Sequence, residues 1–110
     1  LLWADPFPEI HGGRNKKFGK NTVRDCSNFF GLSPVVRLLN SGNYVAILRA
    51  HELCDNGFKM HGWVPDCPPQ VYTIFSAPNY CGSEKNYGAI VSIDDDLLKV
   101  VRYNEVSRLE

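Results

Sequence analysis

Three short polar segments hold the side chains that could do chemistry. Arg49-Ala50-His51-Glu52 sets a histidine just past an apolar run, and imidazole can ligate a metal or move a proton near neutral pH. Ser76-Ala77-Pro78-Asn79-Tyr80-Cys81-Gly82 presents a phenol and a thiol in a loop stiffened by Pro and Gly; a tyrosine hydroxyl can donate a hydrogen bond to a phosphoryl oxygen. Asn21-Thr22-Val23-Arg24-Asp25-Cys26-Ser27 contains one arginine, whose planar fork of donors suits phosphate. Each segment also has a plain reading. A lone histidine or arginine is more often solvated or satisfied within the protein, and the tyrosine loop could be a tight turn with Tyr80 packed over it. Taken singly, these residues leave both readings open.

The elements that would position them come from the apolar pattern. Tyr44-Val45-Ala46-Ile47-Leu48-Arg49 is rich in apolar and β-branched residues and predicts a buried strand, with His51 just beyond its end. Val71 to Phe75 has high β propensity and stops at Ser76, so Tyr80 also follows a strand. Phe58 to Trp63 reads as a weaker strand after the turn signal Asp55-Asn56-Gly57, and Pro65 to Pro69 as a rigid loop. Ala89 to Ile93 and Leu97 to Tyr103 predict a hairpin joined through Asp94-Asp95-Asp96. Ser33 followed by Pro34 predicts a helix start capped by the serine, with an apolar face of Val35, Val36, Leu38 and Leu39 and an end near Asn40 to Gly42. Phe7 to Val23 lacks either periodicity and reads as a loop. The chain is therefore one helix among neighbouring strands.

Composition limits the classes of function. With 44% hydrophobic and 22% charged residues, the chain has the make-up of a folding domain rather than a disordered one. Twelve basic and twelve acidic side chains cancel, so neither nucleic acid nor an anionic membrane is favoured as a partner. No apolar run reaches membrane-spanning length, and the opening Leu1-Leu2-Trp3-Ala4-Asp5-Pro6 lacks the features of a signal peptide. Cys26, Cys54, Cys67 and Cys81 form no CxxC pair and are read as reduced thiols. A cytoplasmic location, with the nucleus as a second, is the expectation.

The order of the segments resembles the phosphoprotein phosphatase superfamily of serine/threonine phosphatases, and its calcineurin-like branch most closely. Leu1 to Pro6 is similar to the family's Leu-Leu-Trp-Ser-Asp-Pro, and Asn21 to Ser27 to Asn-Thr-Val-Arg-Gly-Cys-Ser. Arg49-Ala50-His51-Glu52, Phe75-Ser76-Ala77-Pro78-Asn79-Tyr80-Cys81 and Asn86-Tyr87-Gly88-Ala89 follow in the family's order. Ordered matches along nearly the whole chain are far more specific than any one short motif.

The resemblance implies an α/β fold of layered α+β type, with residues 1–110 forming the C-terminal portion of a calcineurin-like metallophosphoesterase β-sandwich flanked by helices. It implies His51 as one metal ligand, Arg24 as the residue clamping the substrate phosphate, and Tyr80 as the loop tyrosine that contacts it. The activity implied is hydrolysis of phosphoserine and phosphothreonine in proteins. In the complete domain, two metal ions (manganese, iron or zinc) bridge a hydroxide that attacks phosphorus directly. Phosphoprotein substrates, a calcineurin B-like regulatory subunit and calmodulin are the partners implied. Cys81 matches a cysteine beside the family's active site; its plain reading is a half-buried small residue.

Two features depart from the pattern. Asp25 stands where the family has Gly, which permits backbone shapes that Asp adopts less readily, and it adds a carboxylate beside a phosphate site. The family's Gly-Asp-x-His-Gly, Gly-Asp-x-Val-Asp-Arg-Gly and Gly-Asn-His-Glu motifs, which hold its other metal ligands, are absent. Ile10-His11-Gly12-Gly13 is similar to another histidine motif but lies out of family order, so His11 reads as a chance match. The expectation is a fragment that is inactive alone and exposes strand faces normally covered. The alternative is a non-catalytic, phosphatase-like binding module.

Overall fold

A computed structural model describes residues 3–8, 17–64 and 66–107. The fold is mixed α/β, with one helix and three small sheets among the described residues. Leu1, Leu2, Ile10 to Gly13 and Pro65 lie outside them, so the expectations placed on His11 and on the first residues of the opening motif are not described. No described helix is long and apolar enough to cross a membrane. The chain divides into two compact units, residues 1–48 with 60–72, and residues 49–59 with 73–110.

In the first unit, β1 (Asp5–Pro6) pairs in parallel with β3 (Asn28–Phe30), which pairs antiparallel with β2 (Phe18–Lys20), in the register Gly19 to Phe29. Pro6 has no N–H to give a ladder, and it lies accordingly on an edge strand. The expected structureless loop from Phe7 to Val23 thus contains a strand; pairing with β3, which sequence periodicity does not report, selects it. Helix α1 (Leu32–Gly42) buries Val35 and Leu39 against Trp63 and Val71, with Phe30, Leu32 and Ile47 packed around them.

The helix begins two residues before the expected start. Gly31 is its N-cap, no side chain caps it, and Ser33 and Pro34 lie inside the first turn, where the missing proline N–H removes nothing from the helix. At the other end Asn43 takes the left-handed conformation, and the Tyr44 N–H donates to the Leu39 carbonyl at 2.9 Å. That cap shortens the strand expected over Tyr44 to Arg49. Strand β4 is Ile47–Arg49, and Tyr44 and Val45 are exposed.

Strands β5 (Phe58–His61) and β6 (Val71–Ile74) join β4 in a three-stranded sheet in the order β4-β6-β5. In the second unit, β7 (Gly88–Asp94) and β8 (Leu97–Tyr103) form the expected antiparallel hairpin, paired from Gly88 with Tyr103 to Asp94 with Leu97 across the two-residue turn Asp95-Asp96. Ile90, Ile93 and Leu97 of this hairpin are exposed.

Candidate functional site

Arg24 belongs to the first unit, and His51 and Tyr80 to the second, so each is built up within its own unit. Arg24 lies in the turn between β2 and β3. Its Nε–H and an Nη2–H donate to the two oxygens of the Asp5 carboxylate, the second at 3.0 Å, in a bidentate pair. Planar forks of this kind join energy to fixed orientation. The guanidinium also lies 5.7 Å from the centre of the Trp3 ring, a cation–π distance. Asp5 is only 4% exposed and takes a further hydrogen bond at 2.8 Å from Asn21 Nδ2.

The residue after Arg24 answers the departure noted in the sequence. Asp25 has φ 54°, the left-handed region that favours glycine, so this position demands the shape glycine supplies most readily. Aspartate visits that region more easily than most residues, and Asp25 is exposed. The turn therefore forms with aspartate in it.

His51 follows β4 and is exposed, with φ 73°. A histidine held in the left-handed region is uncommon and is the kind of backbone outlier that gathers at functional sites. Its neighbours on both sides are tied down: Arg49 Nη1 donates to Glu52 Oε2 at 2.7 Å and to Thr73 Oγ1 at 2.9 Å. Arg49 ends β4 and Thr73 lies near the end of β6, so the chain segments bearing His51 and Tyr80 leave neighbouring strand ends.

Tyr80 opens a single helical turn, Tyr80–Gly82, and its ring meets Phe75 edge to face at 5.3 Å. Buried Asn86 pins this loop. Its Oδ1 accepts the Tyr80 N–H at 2.8 Å, and its Nδ2 donates to the carbonyls of Ala77 at 2.8 Å and Tyr87 at 2.9 Å. Asn79 and Cys81 both have positive φ, so the expected tight turn is present, and it leaves Tyr80 48% exposed. Cys26, Cys67 and Cys81 are exposed thiols; Cys54 is buried, and burial, followed by the Glu52 carboxylate, pushes its thiol up to about 11.

Among the described residues no group of three or more His, Cys, Asp and Glu side chains could hold a metal ion. Divalent cations need several placed donors, so His51 supplies one ligand at most, and these residues do not by themselves fit a two-metal centre. Asp5, Asn21 and Asn86 were given no role in the sequence. Asp5 reaches Arg24 from nineteen positions away, which no local pattern could have signalled, whereas Asn21 lies three residues before Arg24 and its side-chain bonds to the N–H groups of Val23 and Arg24 are a turn signal that the local sequence carries.

No protein-family profile matches the sequence. The chain is similar in structure to a protein serine/threonine phosphatase from Saccharomyces cerevisiae, itself described as similar to human phosphatase PP5, with a TM-score of 0.75 and 26% sequence identity. The match takes in 99% of this chain and 34% of that one, so the chain spans about a third of the phosphatase it resembles. The similarity supports a phosphatase-related chain.

Proposed function

We propose that this chain is the phosphate-holding portion of a metal-dependent serine/threonine protein phosphatase of the calcineurin-like branch, and that the whole protein hydrolyses phosphoserine and phosphothreonine in other proteins. The observation that carries the reading is the structural likeness to a serine/threonine phosphatase along nearly the full chain. The setting of Arg24 agrees with it. A guanidinium already oriented by a buried carboxylate can meet the charge that builds on phosphoryl oxygens with little reorganisation. Tyr80, half-exposed on a loop that Asn86 holds through the Tyr80 N–H, would donate its hydroxyl to a phosphoryl oxygen.

His51 would serve as one ligand to a pair of ions (manganese, iron or zinc) whose remaining donors lie outside the described residues. Phosphoproteins would be the substrates, a calcineurin B-like subunit and calmodulin the regulatory partners, and the cytoplasm or nucleus the location. The 110-residue chain alone is inactive in this reading.

The test is hydrolysis of a phosphoserine peptide, with and without manganese, by the natural polypeptide that contains these residues and by its His51→Gln variant. Metal-dependent turnover abolished by the substitution is expected. A folded protein with no turnover in either condition would sink the enzyme reading in favour of a non-catalytic binding module.

A further inference from the structure

Asn21 has no exposed surface and makes four hydrogen bonds, all directed at the placement of Arg24. Its own N–H donates to the Ser27 carbonyl at 3.2 Å, closing the loop that carries the arginine. Its Oδ1 accepts the backbone N–H groups of Val23 at 3.2 Å and Arg24 at 3.1 Å, and its Nδ2 donates to Asp5 Oδ2 at 2.8 Å. The amide can point only this way. Reversed, its NH2 would face two N–H donors and its oxygen would face a carboxylate.

We propose that Asn21 is the positioning residue for Arg24, joining the two ends of that side chain into one rigid unit. Its oxygen holds the Arg24 backbone, and its nitrogen holds Asp5, which grips the guanidinium. An unrestrained arginine has many rotamers to lose on meeting an anion; one held at backbone and head group has already lost them, so affinity depends on the restraint. Neither of the nearest turn-forming alternatives does both jobs. Aspartate keeps the acceptor but sets a second carboxylate against Asp5, and serine can accept the backbone N–H bonds but is too short to reach Asp5. The role rests on the reading of Arg24 as the residue that holds the substrate phosphate.

The test uses the natural polypeptide that contains these residues, labelled with 15N, and sulfate as a doubly charged tetrahedral probe. The Arg24 Nε–H signal is assigned by its loss in Arg24→Lys, and its exchange with water is compared in the parent, Asn21→Asp and Asn21→Ser. Both variants are expected to keep the backbone spectrum of Val35, Leu39 and Val71, to exchange the Arg24 Nε–H faster, and to bind sulfate roughly tenfold more weakly. If Asn21→Asp does not fold, Asn21→Ser decides, since it keeps the turn and cuts only the tie to Asp5. Variants that fold and retain both the parent exchange rate and the parent sulfate affinity overturn the proposal. A parent chain that binds no sulfate, yet whose Arg24 exchange depends on Asn21, supports the positioning role and overturns the phosphatase reading of Arg24 instead.

Discussion

Asp5 and Arg24, nineteen positions apart, form a bidentate ion pair in which the carboxylate is almost fully buried and the arginine side chain is 20% exposed. Taking away one partner of such a pair strands the other in a low-dielectric setting. Asp5→Ala should lower the unfolding free energy by about 3 kcal/mol, read from urea denaturation. A change under about 0.5 kcal/mol, the scale of an exposed pair, would show that the two groups are solvated in solution.

Gly57 has φ +77°, and a Cβ there would lie 2.6 Å from the Gly88 carbonyl carbon and 2.8 Å from the Ala89 nitrogen. Both the backbone conformation and the space exclude a side chain. Gly57→Ala should therefore cost roughly 2 kcal/mol or more in thermal or chemical unfolding, while Gly82→Ala, which meets nothing within 4 Å, should pay only for its positive φ of 73°.

Asn86→Asp keeps the oxygen that accepts the Tyr80 N–H and removes the donors to the Ala77 and Tyr87 carbonyls. Two part-buried carbonyls then face a carboxylate, at a cost of about 2 kcal/mol. The Tyr80 ring should leave its edge-to-face contact with Phe75, and the ring-current shifts of its proton signals should collapse toward free-tyrosine values. Unchanged shifts would mean that Asn86 does not hold the loop.

Cys54 should behave unlike the other thiols. At about pH 8 a thiol reagent should modify exposed Cys26, Cys67 and Cys81 readily and Cys54 roughly a hundredfold more slowly, because so little of it is thiolate and it is buried. The same shift has a stability consequence. The folded pKa is raised from 9.0 to about 11, so the unfolded chain loses its proton first as pH rises. The contribution is complete below pH 9.0 and is lost between there and about 11, and Cys54→Ser should flatten that part of the stability profile.

Much of the local structure was legible in the residues themselves. Val35 and Leu39, one helical turn apart, mark the buried face of α1, and the hairpin follows from two β-rich runs around Asp94-Asp95-Asp96. These signals are local, carried by periodicity and turn chemistry. The resemblance to phosphatases lay in the order of short motifs, and the structural likeness to a yeast serine/threonine phosphatase agrees with it at the level of fold.

By itself, then, the sequence determined the helix, the hairpin, the strands that precede His51 and Tyr80, and the choice of Arg24, His51 and Tyr80 as candidate residues. The tertiary structure alone decided what surrounds them. The parallel pairing of β1 with β3 brings Asp5 to Arg24, buried Asn21 locks the two together, and Asn86 fixes the Tyr80 loop. The contacts of Asp5 with Asn21 and with Arg24 join residues 16 and 19 positions apart, and such partners are chosen by burial, where an unpaired polar group is too costly to leave, rather than by any repeating pattern along the chain.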